Sequence, residues 1–113
     1  MGIIKVEGIK LYAYHGCLPE EGIVGGNYEV NITINTNLIK SAISDDLSDT
    51  VDYVMVYTIV KEEMLIRAKL IENVGYRIKE RLRHVHPTAQ FEVEIIKNNP
   101  PINGDVTRVS IIV

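Results

Sequence analysis

The fold is constrained most sharply by where the apolar period of the sequence changes. Tyr28, Val30, Ile32 and Ile34 alternate with Glu29, Asn31, Thr33 and Asn35. A period of two belongs to a strand with one buried face. Upstream, within a β-rich stretch from Ile3 to Tyr14, Ile9, Leu11 and Ala13 alternate with Lys10, Tyr12 and Tyr14. A glycine-rich loop from Gly16 to Gly26, with Pro19, separates the two, so they are expected to pair antiparallel. Ile39 to Asp49 reads as polar and irregular. Beyond it the period lengthens. Val56, Ile59, Val60 and Met64 follow helical spacing behind Asp52, a residue type suited to capping a helix start. Lys61, Glu62 and Glu63 are expected on the surface. After a break at Arg67 to Lys69, a second stripe of Leu70, Ile71, Val74, Ile78 and Leu82 predicts another helix, ending near His84 to Pro87. Its outer face carries Lys79, Glu80, Arg81 and Arg83. Ala89, Phe91, Val93 and Ile95 return to alternation. A Pro/Gly turn region from Asn98 to Asp105 then leads to a last strand at Val109, Ile111 and Val113.

The order strand, strand, helix, helix, strand, strand predicts a single α+β domain over residues 1–113. It would be a four-stranded antiparallel sheet with two helices on one face, inserted between strands 2 and 3. Such a sheet has two open edges, and closure into a barrel by several copies would remove them. The net charge of −3 offers no basic face, so no nucleic-acid partner is expected. Cys17 is the only cysteine, which fits a reducing compartment. Lys5 and Glu7 come too early for a secretory signal, and no apolar run approaches the ~20 residues of a membrane span. The expectation is a soluble cytoplasmic protein without a membrane partner.

Four short runs carry residues able to do chemistry. Lys97 closes a buried strand before the stiff Pro100-Pro101 pair, either as a solvated strand end or as an amine aimed into a cleft. Asp49-Thr50-Val51-Asp52-Tyr53 is either a helix cap with a packed tyrosine or a site wall with a phenolic proton donor. Glu72 follows Leu70-Ile71 near a helix start, either as an exposed carboxylate favoured by the helix dipole or as a buried one receiving N–H donors. Tyr14-His15-Gly16 and Glu21 sit in the glycine-rich loop, which a polar surface hairpin also explains. His84 and His86 form a His-x-His pair, but a catalytic zinc site needs three protein ligands and only His15 remains. Histidines at a helix C-terminus are the simpler reading, and no metal is expected.

Taken in order and spacing, these runs resemble the dihydroneopterin aldolases over essentially the whole chain. The resemblance rests on Tyr14-His15-Gly16 with Glu21, on Asp49-Thr50-Val51-Asp52-Tyr53, on Leu70-Ile71-Glu72, and above all on Lys97-x-x-Pro100-Pro101-Ile102-x-Gly104. Cys17, and Val54-Met55 after the tyrosine, depart from the family's smaller residues. The resemblance implies a tunnelling fold whose subunits close into barrels, as homo-tetramers or homo-octamers with active sites between neighbours.

It also implies a reaction. A base takes the 2′ hydroxyl proton of 7,8-dihydroneopterin, the C1′–C2′ bond breaks, and electrons flow into the C6=N5 imine. The products are 6-hydroxymethyl-7,8-dihydropterin and glycolaldehyde, as in folate biosynthesis. The ring is the electron sink, so neither a metal nor another cofactor is called for. By the same resemblance Glu72 holds the pterin's amino group and ring N–H. Backbone groups of Val51 and Ile71 complete the cradle, and His15 is a further contact. Lys97 is the main acid–base group, with a lowered pKa favoured for work near neutrality. Tyr53 is the final proton donor, and Glu21 organises the lysine and a water. An epimerase acting on dihydroneopterin or its triphosphate would share the first deprotonation and the same pocket. A non-catalytic ring-forming module would not explain Glu21, Tyr53, Glu72 and Lys97 together.

Overall fold

A computed structural model describes all residues, Met1–Val113. Its strands are β1 (Gly2–Ala13), β2 (Gly26–Thr36), β3 (Gln90–Asn98) and β4 (Arg108–Ile112). They form one antiparallel sheet in the order β1-β2-β3-β4. The two main helices, α3 (Tyr53–Met64) and α4 (Ile71–Val85), lie between β2 and β3 in sequence, as the change of period predicts. Val30, Ile32 and Ile34 of β2 and Phe91, Val93 and Ile95 of β3 are buried on one face of the sheet. Val56, Ile59, Val60 and Met64 of α3 and Ile71, Val74, Ile78 and Leu82 of α4 join them in a single core. Asp52 caps α3, its carboxylate accepting the Val54 N–H at 2.9 Å.

Two segments depart from the sequence reading. The glycine-rich loop contains a short helix, α1 (Pro19–Val24). Pro19 opens it with its fixed φ. Glu21 reaches back to accept the Leu18 N–H at 3.2 Å, and Gly25 closes it at φ 72°. Ile39 to Asp49 is not irregular. It forms α2 (Ile39–Ser44) and a 3₁₀ turn at Leu47–Asp49. Asn37 accepts the Ile39 N–H at 2.9 Å to start α2, and Asp45 ends it in the left-handed region. Apolar periodicity is blind to this segment because Ile39, Ile43 and Leu47 all stay exposed.

Glu63 also corrects the sequence reading, since it is buried rather than at the surface. Arg77 and Arg81 reach its two carboxylate oxygens at 3.2 and 3.0 Å, bolting α3 to α4. A buried carboxylate is tolerable only with such partners, and removing one would leave an uncompensated charge. Along β1 the register slips between Val6 and Ile9. Gly8, at φ 73°, sits in that bulge and donates its N–H to the Asn31 side chain at 2.6 Å. No helix is long and apolar enough to cross a membrane.

Candidate active site

Lys97 continues the alternation of Phe91, Val93 and Ile95, so its side chain leaves β3 on the core face. It pairs across the sheet with Tyr28, the first residue of the buried row of β2. Here the core ends and polar groups take over. The Lys97 ammonium donates to the Glu21 carboxylate and, at 3.2 Å, to the His15 carbonyl. The Tyr28 hydroxyl donates to the same carbonyl at 2.9 Å. Both side chains of the ion pair are largely enclosed but still reach a cleft of about 240 Å³. Leu18, Glu20, Gly25, Asn98 and Pro101 are among the residues around that cleft.

The turn at His15 makes the pairing sterically feasible. Gly16 has φ 145°, and a Cβ there would overlap the Glu21 carboxylate. The loop is fastened to the α3–α4 connection. Gly16 donates to the Ala68 carbonyl at 3.0 Å, and the Ala68 N–H returns to His15 Nδ1 at 3.0 Å. Arg67 donates to the carbonyls of Tyr14, Gly16 and Leu18 at 2.9, 3.0 and 3.1 Å.

Electrostatics follow from these contacts. Burial pushes the Glu21 carboxyl up, but the Lys97 hydrogen bond, the Leu18 N–H and the charges of Lys97 and Arg67 leave it below its ordinary value. Burial pulls the Lys97 amine down, yet Glu21 and Tyr28 leave it above its ordinary value. The direction is thus opposite to the lowering favoured from sequence, because Glu21 and Tyr28 favour the ammonium form of Lys97. His15 is 1% exposed. Burial, reinforced by the Arg77 charge, takes its pKa from 6.5 to about 4, so it is neutral. Its Nε2 has no hydrogen-bond partner. His15 thus meets the ion pair through its carbonyl and not through its imidazole.

The other site residues divide between two ends of the sheet. The α4 C-terminus leads directly into the start of β3, so its N-terminus, with Ile71 and Glu72, points back toward the Lys97 end. One turn along, Gly75 faces Ile111, Val113 and, a little farther, Ile95. Ile71 is buried, and Glu72 stands free on the first turn of α4. Val51 and Tyr53 are elsewhere. Val51 borders a recess with Thr36, Asn37 and Ala89, where β2 ends and β3 is about to begin. Tyr53, on the first turn of α3, is 66% exposed. The two ends of β3, Gln90 and Lys97, are about 23 Å apart at ~3.3 Å per strand residue. One chain therefore gathers Glu21, His15, Lys97, Ile71 and Glu72 at one end and leaves Val51 and Tyr53 at the other.

Periodicity placed Tyr28 on the buried face of β2 but did not mark it as a site residue. Its signal is a polar-tipped residue in a row otherwise made of Val and Ile. Burial, opposed by Lys97, holds its phenol above the ordinary value, so it serves as a neutral donor to the loop.

A proton-rich ammonium held against a carboxylate at the mouth of a cleft is the equipment of an acid–base enzyme. Residues 4–113 match the family FolB: Dihydroneopterin aldolase. The dihydroneopterin aldolase of Bacillus subtilis is 34% identical over 113 residues, covering 98% of this chain and 94% of its own. That of Staphylococcus epidermidis is 38% identical over 111 residues, covering 96% and 92%. Among solved structures, Escherichia coli dihydroneopterin aldolase in complex with neopterin superposes with a TM-score of 0.82 at 21% identity, covering 100% of this chain and 97% of that one. A Burkholderia dihydroneopterin aldolase bound to guanine gives 0.66 at 18% identity, covering 99% and 88%. The chain belongs to the dihydroneopterin aldolase family, and its activity is that of a lyase of pterin and folate biosynthesis.

Proposed function

We propose that the chain cleaves 7,8-dihydroneopterin by a metal-independent retro-aldol reaction, at sites completed by a second copy of itself. The observation that carries this reading is the Glu21–Lys97 pair, enclosed at the cleft mouth, with the loop before Glu21 fastened to the α3–α4 connection. Glu72, at the positive end of α4, accepts the pterin's amino group and ring N–H. Backbone groups of Ile71 and of the partner's Val51 close the cradle. The ring is then presented to the ammonium.

The proton steps follow from the charge states. A water held by Glu21 and Lys97 takes the 2′ hydroxyl proton. The C2′ oxygen becomes the carbonyl of glycolaldehyde as the C1′–C2′ bond breaks. The released electron pair moves through C1′=C6 to N5, and the Lys97 ammonium gives N5 its proton. Tyr53 then protonates C1′ and recovers its proton from the water that took the 2′ hydroxyl proton, and N5 returns its proton to Lys97 as the C6=N5 imine reforms. A raised lysine pKa suits this assignment, because the group is needed as an acid beside N5. The water beside it serves as the base.

Tyr53 and Lys97 belong to one reaction but to opposite ends of β3, so a head-to-tail ring reconciles them. Closing the free edges of β1 and β4 into the barrel of a tunnelling fold would build it, as a tetramer or octamer. Neopterin and guanine in the related structures support a pterin-like ligand. The lone Cys17 fits a cytoplasmic setting, and the shared core fits one domain per subunit.

The test is product analysis after exhaustive chelation. Glycolaldehyde and 6-hydroxymethyl-7,8-dihydropterin are expected. A stereoisomer alone would identify an epimerase, and activity lost to chelator and restored by zinc would overturn the metal-free mechanism. Light scattering should find the activity in rings of at least four chains, and a fully active monomer would contradict the shared site.

A further inference from the structure

We propose that Arg67 is a positioning residue for the acid–base pair: by shaping the His15 turn and seating α1, it fixes how the Glu21 carboxylate meets the Lys97 ammonium. This rests on the acid–base reading above. Arg67 lies in the α3–α4 connection, and none of its hydrogen bonds goes to Glu21 or Lys97. Its charge helps hold the Glu21 carboxyl low, and its hydrogen bonds act on the backbone that carries the pair's partners.

The carbonyls it holds are those of Tyr14, Gly16 and Leu18. Arg67 holds the carbonyls on either side of His15, and the intervening His15 carbonyl is the one left to accept from both Lys97 and Tyr28. The grip on Leu18 extends the effect to Glu21, because Leu18 is the residue preceding α1 and its N–H is bound by the Glu21 carboxylate. A second contact fixes α1 itself. A Cβ added to Gly22 would stand 2.7 Å from the Arg67 Cζ, so the guanidinium lies against the helix one residue past Glu21. A planar cation with several fixed donors can brace three carbonyls at once, whereas a lysine ammonium is a point charge on a flexible stem.

The experiment compares the assembled wild type with Arg67→Ala, Arg67→Lys and Gly22→Ala, using 7,8-dihydroneopterin. In Arg67→Ala, kcat should fall by about 10²-fold, the scale set by a misplacement of order 1 Å, with KM little changed. The alkaline limb of the kcat–pH profile should move to lower pH, because a loosely paired Lys97 gives up its proton more readily. Arg67→Lys should recover only part of the loss. Methylguanidinium, which fits the vacated space, should raise kcat of Arg67→Ala. Gly22→Ala keeps every polar group but displaces the guanidinium, so it should reproduce the pH shift.

Lower thermal stability with kcat per folded site and pH profile unchanged would make Arg67 a structural brace and overturn the proposal. If Arg67→Ala does not fold, Arg67→Lys and Gly22→Ala decide on the same criteria. A wild type that releases no glycolaldehyde overturns the aldolase reading itself. A competent wild type with unmoved Arg67 and Gly22 variants overturns this proposal alone.

Discussion

The two ends of the sheet hold their polar groups in different ways. Where β3 finishes, the Lys97 ammonium, the Glu21 carboxylate, the Tyr28 hydroxyl and the His15 carbonyl already satisfy one another. Their positions are fixed by the core below and by the Arg67–Ala68 segment behind. Where β3 begins, Val51 is buried as a packing residue, and the Tyr53 ring stands out from the first turn of α3. Asp49 is the fastened group there, held by Ser44 at 2.7 Å and Lys40 at 3.2 Å. On the proposed shared site, the first end is preorganised for moving protons and the second offers one phenol to a neighbouring copy, so groups that need an exact mutual geometry come from one chain and a single proton donor from another.

The strongest way to break this contrast is to remove the centre of the preorganised end. Lys97→Ala should lower single-turnover cleavage by ~10²–10⁴-fold, the usual loss for a general acid–base group. Pterin binding should stay close to wild type, since Glu72 and the cradle remain. Unchanged chemistry would take Lys97 out of the reaction and leave the bland reading, a lysine at a strand end.

Acid should separate the ends next. His15 is neutral and buried, with its pKa taken from 6.5 to about 4. Above pH 6.5 neither the folded nor the unfolded chain protonates it. As pH falls toward 4 the unfolded chain takes up a proton that the folded one refuses, so stability declines by roughly 3 kcal/mol across that window. His15→Asn keeps an acceptor near the Nδ1 position for the Ala68 N–H and should flatten the decline. Asp49 loses its contribution in the same direction but in a lower range: Ser44 and Lys40 hold it below its ordinary value, so the loss comes only at still lower pH. Hydrogen exchange during acid titration should show the His15 loop opening before the Asp49 turn. The reverse order would mean that His15 is not what limits the preorganised end.

How much of this was legible in the sequence depends on whether a feature is periodic. The four strands and the α3 and α4 stripes follow from apolar spacing, because burial on one face repeats at the element's own period. Asp52 was legible as a cap because its side chain serves the next turn of its own chain. Glu63 was not, because its partners Arg77 and Arg81 lie on another helix. The raised pKa of Lys97 was hidden for the same reason: it depends on a carboxylate that α1 delivers from far along the chain. Arg67 reads from sequence as part of a helix break, and only the fold brings it against three carbonyls. The separation of Tyr53 from Lys97 needed the antiparallel run of α3, α4 and β3 to be placed in space. The sequence motifs put both residues in one site and say nothing of which chain supplies each.

A smaller effect should come from Glu72. On the proposed reading, Glu72→Ala would remove two charge-assisted contacts to the pterin but no group that moves a proton. Each such contact contributes ~1.5–3 kcal/mol, so with partial compensation by water the affinity should fall by about 10- to 10²-fold. Chemistry in a saturated single turnover should change far less. A variant that binds normally but turns over slowly would move Glu72 from the cradle into the proton path.

The smallest expected effect is also the one that decides whether the two ends work together. Lys97→Ala damages one end and Tyr53→Phe the other, and each pure variant should form 6-hydroxymethyl-7,8-dihydropterin slowly. If every site joins the Lys97 end of one chain to the Tyr53 end of the next, co-refolded equimolar chains should contain some intact sites. Random mixing makes a site intact when its Lys97 end comes from the Tyr53→Phe chain and its Tyr53 end from the Lys97→Ala chain. That is about a quarter of sites for a head-to-tail ring, a rate roughly fourfold below wild type. The control is a mixture of Lys97→Ala with Glu72→Ala, assayed at a pterin concentration that leaves Glu72→Ala sites largely empty, so that this variant too is slow alone. Those two residues share one end of one chain, so no arrangement of subunits yields an intact site, and no recovery is expected. Rapid-quench measurement of the pterin product, with mass spectrometry to confirm mixed rings, gives the readout. Recovery in the first mixture and not the second would assign the ends to different chains. No recovery in confirmed mixed rings would overturn the shared site, and recovery in both would show that Glu72 and Lys97 do not act in the same half of it.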